Sequence, residues 1–296
     1  MTGRSIYGQI QMNYSGLYRN GTQILSAAGI PEAALDARLL LEFVTGSGTD
    51  AVYTHPDDPV SPDEEKKFNE LVAKRADHVP LAYLTGTCGF MGIEFKVNDS
   101  VLIPRQDSEC LVEEAMIYTG DGDRILDMCT GSGCLLLSLI HYKNGCRGVG
   151  VDISEEALSV ARDNARMLEE EGGLNGGIVS FLAGDMFEAL KDHEGKFDII
   201  ISNPPYIRKE VINTLMPEVK DHEPRTALDG GPDGLDFYRR IAEAAPDHLA
   251  GGGRIFCEIG YDQAEDVTGI LADAGFTDIG TVKDYAGNDR VVRARI

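Results

Sequence analysis

The chain has 296 residues, 43% hydrophobic and 26% charged, which is ordinary globular usage with room for two domains and excludes a disordered or fibrous protein. Forty-nine acidic residues oppose 27 basic ones, a formal net charge of −22, which disfavours non-specific binding along a nucleic-acid backbone. Six scattered cysteines, none in a C-x-x-C pair, argue against a zinc site or disulfide scaffold and predict reduced thiols.

Met1 to Asn20 is polar and lacks an apolar signal core. No run of about 18 apolar residues follows, so a cytoplasmic protein without a membrane partner is expected. Ile24, Leu25, Ala28, Leu35, Leu39, Leu40 and Phe43 recur at helical spacing. Pro31 suits the first turn of a helix over about 31–44. Ser61-Pro62-Asp63-Glu64 is a strong helix start, with Ser61 as cap, for a helix running to about Ala76. Phe90 to Val97 and Ser100 to Ile103 alternate as a short hairpin would, ended by Pro104. Beyond residue 105 strands alternate with helices, which predicts an α/β fold with a parallel sheet covered on both faces. Expected strands are 124–128, 148–152, 179–182, 197–201, 254–258, about 277–284 and 289–295. The expected organisation is a helical domain over 1–79, a linker hairpin over 80–104 and the strand–helix domain over 105–296.

Cys129-Thr130-Gly131-Ser132-Gly133 joins the first of these strands to its helix. Small residues allow a sharp turn and a close approach of backbone to ligand, and the helix N-terminus beyond favours an anion. The wording T-G-S-G is not the G-x-G-x-x-G that packs a pyrophosphate. Asp152 ends the second strand, where a carboxylate either accepts from two ribose hydroxyls or caps the helix beginning near Ser154. Asp185 and Met186 follow the third strand, placed to meet an adenine amino group and ring, although Met186 could equally be core. Three ligand-facing turns after consecutive strands point together to S-adenosyl-L-methionine as cofactor.

The fourth strand ends in Asn203-Pro204-Pro205-Tyr206, where open α/β sheets bind ligands. The Asn203 side-chain oxygen and the Pro204 main-chain carbonyl are two acceptors for the two N–H bonds of a planar amide or aromatic amine. Tyr206 can pack on that planar group, and two prolines stiffen the turn. Asn203, Pro204 and Tyr206 are therefore the expected catalytic residues, with Pro205 completing the acceptor-binding set. Asn-Pro-Pro also suits a plain turn, but its place beside the expected cofactor favours chemistry. The six histidines are dispersed and expected to be exposed, and neither a nucleophile elbow nor a P-loop occurs.

Taken with Pro80 to Gly86, Leu102-Ile103-Pro104-Arg105, His222-Glu223-Pro224, Ala227-Leu228 and Asp284 to Arg290, these motifs make the chain resemble the HemK/PrmC family of protein-glutamine methyltransferases over roughly residues 17–296. The resemblance implies a helical N-terminal domain that helps hold the substrate and a seven-stranded, Rossmann-like class I methyltransferase sheet. It implies cofactor contacts at Cys129 to Gly133, Asp152, Met186 and Asn203. It further implies, as partner and substrate, a peptide-chain release factor whose Gly-Gly-Gln glutamine sits on Asn203 to Tyr206. A monomer without direct nucleic-acid contact is expected. The chain departs from the family's commonest pattern with Cys129 for a glycine, Gln106 for a proline, and Met186 where some members have an aromatic. The wording around Cys129 also resembles a sister family that methylates a ribosomal-protein glutamine, and the tetrapeptide alone is shared with nucleic-acid amine methyltransferases. Arg105 and Glu109 either touch a ligand or pair with each other, and the structural role is the favoured expectation.

Overall fold

In a computed structural model, residues 12–48 and 51–296 are described. The beginning of the polar stretch read above, residues 1–11, lies outside them. The chain divides into two compact units at Thr85/Gly86.

The first unit contains α1 (Tyr14–Ala27), α2 (Ala33–Thr45), the single turn α3 (Ala51–Thr54), α4 (Pro62–Ala76) and the short α5 (Leu81–Thr85). Each longer helix has a local cause. Asn13 caps α1 by accepting from Gly16 N, and Gly46, at φ 63°, ends α2 in the left-handed conformation. Ser61 and Glu64 form a reciprocal capping box at the start of α4, with Pro62 at the first helical position. Leu17, Leu25, Leu40, Leu41, Phe68 and Val72 fill the unit's core. A buried ion pair, Arg75 Nε to Asp36 Oδ2 at 2.7 Å, joins α4 to α2.

The second unit opens with a hairpin, β1 (Thr87–Phe90) and β2 (Ile93–Lys96). The expected hairpin arms at 90–97 and 100–103 are thus displaced. The chain reverses at Met91-Gly92, both with positive φ (51° and 72°), a turn conformation that a methionine does not advertise. Phe90, Ile93 and Phe95 are buried in a core of this unit, so the hairpin is an integral part of it.

Then follow α6 (Glu109–Tyr118), β3 (Arg124–Met128), α7 (Cys134–Tyr142), β4 (Arg147–Asp152), α8 (Glu155–Glu170), β5 (Ile178–Ala183), β6 (Phe197–Ser202), the one-turn α9 (Pro217–Lys220), α10 (Asp236–His248), β7 (Leu249–Glu258), α11 (Ala264–Asp273), β8 (Thr277–Lys283) and β9 (Asp289–Arg295). They build one seven-stranded sheet in the order β5-β4-β3-β6-β7-β9-β8. β3 to β7 are parallel neighbours, while β9 runs antiparallel to both β7 and β8. The sheet is therefore mixed at one end rather than wholly parallel.

β3 and β6 are almost completely buried, because helices cover both faces and leave no polar side. One face packs Leu126, Val151, Ile200 and Ile255 against Tyr238, Ile241 and Val267 of α10 and α11. The other packs Ile125, Ile199 and Phe256 against Leu111, Leu136 and Leu139 of α6 and α7. Strand order reverses between β3 and β6, so a crevice is expected beyond their carboxyl ends. Among the described residues no helix is long and apolar enough to cross a membrane.

Candidate active site

That crevice is a cavity of about 400 Å³, and every residue lining it belongs to the second unit. Its floor is the turn after β3. Thr130 N donates to Val151 O at 2.9 Å, tying the turn to β4. Thr130 Oγ1 donates to Asp127 Oδ2 at 2.6 Å beneath it. Cys129, Gly131 and Gly133 all have positive φ (64°, 54° and 80°), which bends the chain back upon itself before α7. A Cβ added to Gly131 would meet nothing within 4 Å, so this residue faces open space where a ligand can approach the backbone. Cys129 adopts at some cost the left-handed conformation that glycine takes freely. Its thiol points to Met186 Sδ at 3.7 Å.

Asp127 is wholly buried. Burial, outweighing the Thr130 hydrogen bond, pushes its carboxyl up to about 7, and its Oδ1 has no partner. Asp152, on the cavity wall, accepts from Gly131 N at 2.9 Å and from Ser154 N at 3.0 Å. Desolvation nevertheless leaves its carboxyl above the ordinary range, opposed by those amides. The capping of α8 falls to Ser154, whose hydroxyl accepts from Ala157 N at 3.1 Å. Each Asp152 oxygen retains a second lone pair for a ligand hydroxyl.

Asp185 and Met186 also line the cavity. Asp185 is held by Arg240 of α10 at 2.7 Å, while Met186 is buried in the left-handed conformation at φ 57°. Thr130, Ser132 and Cys134 complete this wall. Asn164, fully buried on α8, donates to Ser132 O and Lys96 O and accepts from Lys96 N, so the turn, the hairpin and α8 share one anchor.

Asn203 and Pro205 line the same cavity, and Pro204 is buried. Tyr206 turns its hydroxyl to Glu258 Oε1 at 3.2 Å, and burial raises its phenol well above the usual range. The tetrapeptide is braced from behind. Ile207 N donates to Leu228 O and Gly230 N to Ile207 O, and Gln263 Nε2 donates to Tyr206 O at 3.1 Å. A Cβ on Gly230 would lie 2.7 Å from Tyr206 Cα, so only glycine lets this strap lie against the turn. Asn203 Nδ2 donates to Ser108 Oγ at 3.3 Å.

Several expectations change. Arg105 and Glu109 do not pair with each other. Arg105 grips the buried Glu223 at 2.6 Å, and Glu109 accepts from Met91 N at 2.7 Å. The Arg105–Glu223 pair thus fastens the segments at 100–108 and 222–227, both of which reach the cavity. The histidines are not uniformly exposed, since His193 and His248 stack on Phe197 and Phe187. Ser108, Phe237 and Arg240 are cavity residues that sequence reasoning missed. Phe237 and Arg240 come from a helix with no local motif, and the only signal at Ser108 was its place before a helix.

The arrangement has recognisable relatives. Residues 16–86 match the PrmC N-terminal domain, and 119–228 match a methyltransferase domain. A methyltransferase structure from Pyrococcus furiosus shares the fold, with a TM-score of 0.52 at 18% identity over 79% of this chain and 98% of that one. The chain is 42% identical to the release factor glutamine methyltransferase of Geobacter sulfurreducens, over 92% of its own length and 93% of that protein. For the Caulobacter vibrioides enzyme of the same name the identity is 41%, over 90% and 91%. Likeness of this degree, running through both units, makes the chain a member of the release factor glutamine methyltransferase family.

Proposed function

We propose that this protein transfers a methyl group from S-adenosyl-L-methionine to the side-chain amide nitrogen of the glutamine in the Gly-Gly-Gln loop of a peptide-chain release factor. One observation carries the reading: the turns after β3, β4, β5 and β6 bring Cys129 to Ser132, Asp152, Asp185 with Met186, and Asn203 to a single cavity. The residues present suit the cofactor. The open space beside Gly131 admits a carboxylate close to the backbone and the α7 N-terminus. Asp152 offers lone pairs to ribose hydroxyls, and Met186 offers an apolar surface to the base. When bound, the cofactor supplies an activated methyl on a sulfonium.

The chain's own residues then have one task, which is positioning. Asn203 Oδ1 and the Pro204 carbonyl accept the two amide N–H bonds of the glutamine and aim the face of its nitrogen. Held in this way, the nitrogen would stand in line to accept the methyl group, and the electron pair of the S–CH3 bond would stay with the cofactor's sulfur. The two oxygens favour the positive charge growing on nitrogen, which then loses a proton to solvent, so no strong base is required. The helical unit, which matches the PrmC N-terminal domain, helps grip the release factor. A net charge of −22 favours a protein rather than a nucleic-acid acceptor.

The test is mass spectrometry of unmethylated release factor and ribosomal proteins after incubation with labelled cofactor. A methylated Gly-Gly-Gln peptide is expected; label confined to a ribosomal protein would replace this substrate. Asn203→Ala should abolish transfer yet leave cofactor affinity by calorimetry nearly unchanged. Wild-type turnover by that variant would refute the mechanism.

A further inference from the structure

A carboxamide has two ends of nearly equal shape and opposite hydrogen-bonding sense. Rotating the Asn203 amide by half a turn would present its NH2 to the glutamine NH2, donor against donor. Something must therefore fix which end faces the cavity. The pairing of Asn203 Nδ2 with Ser108 Oγ at 3.3 Å is such a constraint.

Ser108 is unusual for its place. It stands at the N-cap of α6, yet its side chain makes no capping hydrogen bond, although serine there ordinarily accepts from the first turn. It is 3% exposed, so its hydroxyl cannot turn to water instead. Its neighbour is Glu258, 2% exposed at the carboxyl end of β7. Burial raises the Glu258 carboxyl, while the Ser108 hydroxyl, the Arg290 guanidinium and the Tyr206 hydroxyl favour its ionised form. The Ser108 oxygen offers its lone pairs to the Asn203 NH2, which can only donate. Glu258 Oε1 accepts from the Tyr206 hydroxyl at 3.2 Å.

We propose that Ser108 is a positioning residue that fixes the rotation of the Asn203 carboxamide. The inference rests on the reading of Asn203 as the residue that holds the substrate amide. It adds a residue from a distant segment that touches neither reacting atom.

The test uses the full chain, unmethylated release factor and steady-state kinetics of Ser108→Ala, Ser108→Thr and Asn203→Ala. Ser108→Ala should lower kcat by about 10–100-fold, the scale on which misplacement of a positioned group acts. Its cofactor affinity by calorimetry and its unfolding midpoint should stay near wild type. Ser108→Thr, which keeps the hydroxyl, should recover kcat to within about threefold. Should Ser108→Ala fail to fold, Ser108→Cys keeps the volume with a poor acceptor and carries the same expectation. Wild-type kcat in Ser108→Ala, or equal loss in the Ala and Thr variants, overturns the proposal. If Asn203→Ala is dead while Ser108→Ala turns over normally, only the positioning role fails. If Asn203→Ala itself turns over normally, the underlying mechanism fails first.

Discussion

Asp127 shows how a single residue beneath the site couples to pH. It is buried, and its carboxyl is pushed from an ordinary 3.8 to about 7, chiefly by desolvation. The folded chain therefore holds this proton more tightly than the unfolded chain does. Its contribution to stability is complete below about 4, declines as pH rises and the unfolded chain ionises first, and is lost by about 7. Measured by urea denaturation, wild-type stability should fall relative to Asp127→Asn between about pH 4 and 7, by at most about 1.4 kcal/mol per pH unit. A difference that stays flat over that range would show that Asp127 keeps an ordinary carboxylate. The cavity residues that the sequence also singled out, Cys129 to Ser132, Asp152, Met186 and Asn203, share a property: each ends or closely follows a strand that its own neighbours announce. Ser108, Phe237 and Arg240 carry no such signal, because they meet the others only across long stretches of chain. Cys129, at φ 64°, is a case where tertiary structure imposes a conformation its own side chain resists.

At the scale of elements, the strands most visible in sequence are those with an apolar run uninterrupted by alternation, as Ile199-Ile200-Ile201 of β6 is, since burial on both faces removes the polar side. The reading of 254–258 misses the first half of β7 because Leu249-Ala250-Gly251-Gly252-Gly253 has the composition of a loop. Leu249 nonetheless pairs with Phe197, and the register is irregular just beyond, as glycines in strands permit. In the helical unit the capping box at Ser61 is visible, whereas the pairing of Asp36 with Arg75 joins residues from separate helices and is not. The bond is 2.7 Å long and buried. Removing one partner strands a charge away from water, so Asp36→Ala should destabilise the helical unit by about 3–5 kcal/mol. Hydrogen exchange should then accelerate throughout α1, α2 and α4; unchanged protection there would mean that the pair contributes nothing.

For the whole molecule, the excess of acidic groups has a thermodynamic effect separate from any partner. A net charge of −22 repels itself more strongly in the compact state than in the expanded one. Raising ionic strength from about 0.01 to 0.15 M shortens the screening length from about 30 to 8 Å. The melting midpoint should therefore rise over that range, and a midpoint that falls would show that attractive pairs outweigh the repulsion. The order of the sheet has a further effect on how the protein is made. β7 finds its outer neighbour in β9, which follows β8 in the chain. As the polypeptide leaves the ribosome, β7 must present a bare row of amides and carbonyls until β9 arrives, roughly two to six seconds later at ordinary elongation rates. In that interval β8 has already emerged without a place to dock. Nascent chains stalled between these two strands should be those most in need of a chaperone and most ready to pair with the wrong edge.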